Sequence, residues 1–156
     1  MKESYLASDF LRTAAQRFPS QAARLNAAFD ARLQALLAEN VNESKQKRQH
    51  LKHQILPGIA AYEKLCTVMP RDEALQTVHG YLEEYAGRAH RYIAALLRVP
   101  GLYRLVPGVF VMSTRTAFGS AAGFAVKEVQ ADKTAWRVDM RKCPYNDTCV
   151  KYGCPE

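Results

Sequence analysis

Long apolar runs are missing from this sequence, and so are the glycine and proline tracts of low-complexity chains. No stretch approaches the roughly 18 apolar residues of a membrane span, and none has the core of a signal peptide. With 8 Gly and 7 Pro in 156 residues, a collagen-like or low-complexity chain is excluded. Wholesale disorder is excluded as well, since 48% of the residues are apolar and 24% charged. There is no Gly-rich phosphate loop, no Gly-x-Ser-x-Gly elbow and no His-Glu-x-x-His helix. Nucleotide hydrolysis, serine hydrolysis and zincin-type proteolysis therefore lack support. Acidic charge is the scarcer sign, 15 Asp and Glu against 22 Lys and Arg, for a net +7. That excess favours an anionic partner, whether carboxylate, phosphate or nucleic acid, without choosing among them. A soluble cytoplasmic protein with no membrane partner is the expectation, built as one domain over residues 1–156.

Cysteine is scarce until the end of the chain. Cys66 stands alone, whereas Cys143, Cys149 and Cys154 crowd the last fourteen positions. In a reducing compartment such a cluster points to a catalytic thiol or a metal site before a disulfide framework.

The part up to about residue 116 has the grammar of helices. Leu6, Phe10, Leu11, Ala14, Ala15 and Phe18 repeat at helical spacing, Pro19-Ser20 interrupts, and Leu25, Ala28, Phe29, Leu33, Leu36 and Leu37 form a second stripe. The stretch from Lys45 to Lys52 is basic without interleaved aromatics, which suits a wet helix face and gives a nucleic-acid surface little support. Pro57-Gly58 predicts the start of a new helix whose apolar side carries Ile59, Tyr62, Leu65 and Cys66. Asp72 predicts an N-cap for the next helix, with Gly87 as a bend or break before it resumes to Leu97. Pro100-Gly101 and Pro107-Gly108 predict short helices or turns between Leu102 and Met112, an apolar cover for the core.

At Gly119 the pattern changes. Residues 124–130 are strand-like, and in 136–141 Trp136, Val138 and Met140 alternate with Arg137, Asp139 and Arg141, the period of a half-buried strand. Residues 131–134 supply the turn of an antiparallel hairpin. Cys143-Pro144 then ends the strand and starts a short helix, with Gly153 beyond its end. The fold class expected is α+β: a mostly helical N-terminal part (about 1–116) packed on a small antiparallel sheet, and a C-terminal cysteine-bearing helix (strand pair and helix about 117–156). A two-stranded hairpin is marginal alone, so helices must cover it or the chain is a shortened version of a longer protein.

The run Lys142-Cys143-Pro144-Tyr145-Asn146-Asp147-Thr148-Cys149-Val150-Lys151-Tyr152-Gly153-Cys154-Pro155-Glu156 after a strand resembles an element of the L-2-amino-thiazoline-4-carboxylic acid hydrolase family. The run Ile55-Leu56-Pro57-Gly58-Ile59-Ala60-Ala61-Tyr62-Glu63-Lys64-Leu65 is similar to that family's helix start, and the resemblance spans roughly residues 25 to 156. It implies hydrolytic opening of a carboxylated 2-amino-thiazoline ring to a carbamoyl-cysteine, in cysteine biosynthesis. It also implies further strands after Pro155-Glu156, a section this sequence lacks.

Ring opening needs attack at the amidine carbon between nitrogen and sulfur, and a thiolate suits that step. Cys143 is the leading candidate, because it precedes a helix whose N-terminal N–H groups lower a thiol's pKa, with Arg141 and Lys142 beside it in sequence. Three readings of Cys143 stay open: nucleophile, metal ligand, or inert structural thiol. Cys143, Cys149 and Cys154 could together hold a metal, zinc being the cofactor such a set suits, although their spacing is not the tight pair of a zinc ribbon. Cys143-Pro144 and Cys154-Pro155 also permit thiolate ligation of haem, so a non-catalytic metal or haem sensor is the alternative function. Tyr145 is a candidate to line the cysteine pocket. Arg115, Arg137 and Arg141 are candidates to bind the substrate carboxylate. His79 and Glu83, four apart on a helix, could act as a base and its orienter, a surface pair being the commoner explanation. The expected partner is a small carboxylated molecule, with a homo-oligomer as a further expectation and nucleic acid ranked last.

Overall fold

The computed structural model describes residues 4–101, 106–131 and 136–154. The two leading apolar stripes fold as helices α1 (Tyr5–Arg17) and α2 (Ala22–Glu39). They meet through Phe10 and Phe29, whose fully buried rings stack with centroids 4.5 Å apart. Leu6, Ala14, Leu25 and Leu36 complete the buried side of the pair.

The basic stretch is solvated as its charge implies, with Lys45, Gln46, Arg48 and Gln49 exposed and Lys47 and His50 half-buried. Ser44 caps α3 (Lys45–His50), its Oγ accepting from the Lys47 amide. The helix then widens into a π-helical turn, Leu51–Ile55, in which the Leu56 amide reaches five residues back to the Leu51 carbonyl. It continues without a break into α4 (Leu56–Leu65). Pro57 therefore does not open a separate helix. A proline inside a helix has no N–H to give and its ring crowds the carbonyl four residues earlier, here His53. The wide turn just before it makes room, as π-bulges do. The His53 carbonyl, with no proline N–H to accept, takes a hydrogen bond from Ser4 Oγ at 2.7 Å, which ties the start of α1 to the turn. Leu51, Ile55, Leu56, Ile59, Ala60, Ala61 and Leu65 are buried, so α4 forms the centre of the core.

Helix α5 (Arg71–Leu97) runs for 27 residues, and Gly87 does not break it. Its N-cap is Pro70 rather than Asp72; Asp72 and Glu73 sit in the first turn, where carboxylates oppose the positive end of the helix dipole. The first half buries Ala74, Val78 and Tyr81. The second half leaves Tyr92, Ile93, Leu96 and Leu97 exposed. Helix α6 (Val106–Ala117) is a single helix rather than the short pieces expected from its prolines. It does not form the expected apolar cover either, since Val109 and Met112 are 59% and 67% exposed. Residues 102–105 of that expectation lie outside the described residues.

A 3-10 turn, Ser120–Ala122, leads through Gly123 into the hairpin. Gly123 has φ +90°, and a Cβ there would meet Lys47 Cδ at 3.2 Å, so both conformation and space call for glycine. Strands β1 (Ala125–Ala131) and β2 (Trp136–Lys142) pair antiparallel, with Val126 opposite Met140 and Glu128 opposite Val138. Residues 132–134 of the expected turn lie outside the described residues. Val138 is half-buried, but Val129 and Met140 are exposed, so the alternation in β2 does not reflect a well-covered face. Arg115 of α6 fastens the hairpin with a bidentate ion pair to Glu128, at 2.6 and 2.8 Å. The chain then enters α7 (Pro144–Lys151), with Pro144 in its first turn and Gly153 at φ +66° beyond its end, as the sequence predicts. The architecture is α+β, mostly helical with a two-stranded antiparallel sheet. Among the described residues no helix is long and apolar enough to cross a membrane.

Two substitutions test this packing. Phe10→Ala should destabilise the fold by about 3–5 kcal/mol in denaturant titrations, the cost of a large core cavity. Ser4→Ala should cost about 1 kcal/mol, because a half-buried carbonyl loses its donor.

Candidate active site

Helix α7 is short, and its position depends on polar contacts at both ends. At its start, the Tyr145 hydroxyl donates to Gln54 Oε1 on the π-helical turn and lies 3.0 Å from His50 Nδ1. His50 Nε2 lies 2.9 Å from the Ala117 carbonyl. A carbonyl only accepts, so Nε2 carries a proton and donates to Ala117, while Nδ1 and Gln54 Oε1 both face the one Tyr145 hydroxyl. At the far end, the Tyr152 hydroxyl donates to Glu39 Oε2 at 2.9 Å and accepts from Asn40 Nδ2 at 2.8 Å. Arg32 lies over the Tyr152 ring and forms a bidentate pair with Glu63 at 2.6 and 2.9 Å. Asn40 is itself buried, its amide also donating to the Leu36 carbonyl, so α2 presents a rigid partner to α7.

Held in this way, α7 closes one side of a cavity of about 570 Å³ between α1, the π-helical turn, α4 and α5. Cys143, Cys149 and Cys154 all line it. Cys143 precedes the helix in extended backbone (φ −128°), and its carbonyl accepts from the Asp147 amide. Cys149 lies within the helix. Cys154 follows the left-handed turn at Gly153, its amide returning to the Cys149 carbonyl at 2.9 Å. That turn brings the third sulfur back to a wall that a continuing helix would have left. The remaining lining is apolar, from residues such as Leu6, Ile59 and Val78, and aromatic, from Tyr5, Tyr62 and Tyr85. Tyr5 and Tyr85 stack with centroids 3.9 Å apart.

Burial dominates the electrostatics. It pushes the Cys154 thiol up to about 11, helped by Cys149, Glu63 and Cys66 and opposed by Arg32. It raises Cys149 too, with the nearby Cys143 charge adding to the effect. The Tyr145 phenol is pushed up to about 12 by burial, then by Tyr5, Cys143 and Tyr85. These groups are therefore proton donors at neutral pH. Cys143, half-buried, is close enough for its charge to act on both Tyr145 and Cys149.

The other expected site residues are placed elsewhere. Arg115 and Arg141 line a separate groove of about 590 Å³ between α6 and the hairpin. Arg115 is occupied by Glu128, and exposed Arg141 pairs with Asp139 at 3.1 Å. Arg137 is exposed on β2 and lines neither space. None of the three arginines lines the cysteine cavity: Arg137 and Arg141 are exposed on β2, and Arg115 on α6 is paired with Glu128. Lys142, expected to add positive potential at Cys143, lies 4.0 Å from Asp147 at the surface. His79 stands at the exposed rim of the cavity, and Glu83 lies outside its lining. Among the described residues no group of three His, Cys, Asp or Glu side chains converges as a metal-ligand set, so the three cysteines share a wall without sharing a point.

Sequence reasoning missed His50, Gln54 and the tyrosines of α1 and α5. His50 was hidden inside a run of charges, and its half-buried place follows from the docking of α3 against Tyr145 of α7 and Ala117 at the end of α6. A proline with no break before it was the one available signal.

The buried thiol has a consequence for stability. A group whose folded pKa exceeds its ordinary value of 9.0 favours folding while protonated, and the unfolded chain ionises first as pH rises. Stability should therefore fall between about pH 9 and about pH 11, and Cys154→Ser should flatten that fall in urea titrations across the range.

No curated protein and no solved structure matches this chain. The sequence model of one family does match, over residues 48–156, which takes in His50, Gln54, the hairpin and all four cysteines. With most of its length matched, and with α7 and the turn that anchors it inside the matched part, the chain belongs to the L-2-amino-thiazoline-4-carboxylic acid hydrolase family.

Proposed function

We propose that this hydrolase-family chain opens a cyclic amidine of the 2-amino-thiazoline type, with Cys143 as the nucleophile. The observation that carries the reading is the place of Cys143 on the cavity wall, beside the Tyr145 hydroxyl and at the start of α7.

The steps balance as follows. Cys143 Sγ bonds to the amidine carbon while its proton moves to the ring nitrogen, with the Tyr145 hydroxyl as the relay. The bond from that carbon to the ring sulfur breaks, the departing sulfur takes a proton from the amino nitrogen, and a neutral isothiourea is left on Cys143. Water then adds to the same carbon, the Cys143 sulfur leaves and regains its proton, and a urea-type carbamoyl group remains. The sum is ring plus water. For the ring acid in the family's name, the product is N-carbamoyl-cysteine.

His50 Nδ1 and Gln54 Oε1 both lie within hydrogen-bond distance of the Tyr145 hydroxyl and hold its oxygen in place. Cys149 and Cys154, kept protonated by burial, line the cavity without competing as nucleophiles.

Turnover of a 2-amino-thiazoline, followed by release of free thiol, tests the reading. Cys143→Ala should reduce turnover to background, and unchanged turnover would remove Cys143 from the chemistry. Tyr145→Phe should lower kcat by about 10²-fold or more, the scale of a lost proton-transfer group. Arg115→Ala should leave both constants unchanged, since that arginine lies in the other groove.

A further inference from the structure

We propose that Cys149 and Cys154 are a reversible oxidation site on the cavity wall, joined as a disulfide by exchange with a small disulfide of the glutathione class. The proposal stands apart from the ring-opening chemistry and needs no role for Cys143.

The first observation is how α7 ends. The Gly153 amide donates to the Val150 carbonyl at 3.1 Å and the Cys154 amide to the Cys149 carbonyl at 2.9 Å, with Gly153 at φ +66°. These two bonds around a left-handed glycine make a Schellman turn, in which the side chains at the two ends of the longer bond commonly touch. The usual contact is between hydrophobic residues, and here both positions carry cysteine. The longer bond also limits the backbone. With the amide nitrogen 2.9 Å from the carbonyl oxygen, bond lengths keep the two α-carbons within about 7 Å, the reach of a disulfide.

The second observation is where the side chains lie. Both residues are half-buried and both line the cavity of about 570 Å³. After burial itself, Cys149 is the strongest influence raising the Cys154 thiol, as expected of two neighbouring sulfurs.

The third observation separates this pair from the other thiols. Cys143 stands six residues before Cys149, and at about 1.5 Å per residue a helix sets such α-carbons about 9 Å apart, too far to bridge. Cys66 is the C-cap of α4 and is not among the residues that line the cavity.

The exchange balances. One protein thiolate attacks the small disulfide, forms a mixed disulfide and releases one small thiol. The second protein sulfur displaces the other, so one protein S–S bond and two small thiols result, and the protein's two thiol protons pass to them. Burial keeps both thiols protonated at neutral pH and slows the first attack, so closure is read at equilibrium and not as a rate. Closure takes two S–H donors from the cavity wall and ties the turn at Gly153, while Cys143 stays free.

The test equilibrates the full chain with reduced and oxidised glutathione at graded ratios, then traps free thiols by alkylation and digests with trypsin. Of the four free thiols two should remain. Lys151 lies between the paired cysteines, so peptide 143–151 should appear joined to peptide 152–156, with fragmentation assigning the bridge to Cys149. The folded chain should close its bridge at a ratio about tenfold or more reducing than the same chain in urea, because only the fold holds the turn. Gly153→Ala, at a backbone position that disfavours a side chain, should narrow that difference. A bridge through Cys66 or Cys143 overturns the proposal, as does oxidation that stops at a glutathione adduct. Equal ratios for folded and unfolded chain overturn it too, and the wild-type comparison decides even if the Gly153 variant fails to fold.

Discussion

Everything at the site depends on α7 being pinned at both ends. A helix of eight residues has little intrinsic stability, and most of its persistence must come from tertiary contacts. Tyr145 at one end and Tyr152 at the other provide them, each through a hydroxyl that has partners on helices far away in sequence. Both ring systems are amphipathic, so each packs while its oxygen is bonded. The geometry of the sulfurs follows. Cys143 precedes the helix, Cys149 belongs to it, and the Gly153 turn swings Cys154 back. Three thiols thus meet one cavity although their spacing on an uninterrupted helix would distribute them around it.

The charge distribution separates the interior from the rim. The net +7 of the chain suggests affinity for anions, yet its cations are held at the surface by acidic partners, as Arg115 is by Glu128 and Arg12 by Glu84. The cavity keeps weakly acidic groups, thiols and phenols, whose proton affinities burial raises. At neutral pH these groups stay protonated and uncharged, so the cavity is lined by neutral hydrogen-bond donors and not by fixed ions.

The matched part of the chain and the leading helices have divided tasks. Residues 48–156 hold the cysteines, the π-helical turn and the hairpin. Helices α1 and α2 lie largely or wholly before it, and they supply the Phe10–Phe29 core contact, the Ser4 bond to His53 and the Glu39–Asn40 anchor for Tyr152. They also contribute Tyr5 to the cavity wall.

The helical stripes, the strand alternation and the Cys-Pro helix start were all legible in the chain, because each is a local pattern whose period matches its backbone geometry. The cysteine helix and its family resemblance were legible for the same reason. Where α5 and α6 run was not, since Gly87 and Pro107 are tolerated when neighbouring turns accommodate them, and propensity is a weak force beside tertiary packing. Where Arg137 and Arg141 stand relative to the cavity was not legible either, because closeness to Cys143 in sequence does not say which way a strand residue faces. The amino-acid order by itself determined the elements and the thiols on offer. Only the tertiary structure decided that His50 and Gln54 meet Tyr145, and that α1 walls the cavity, because hydrogen bonds across some 90 residues depend on how helices dock and leave no periodic trace in the chain.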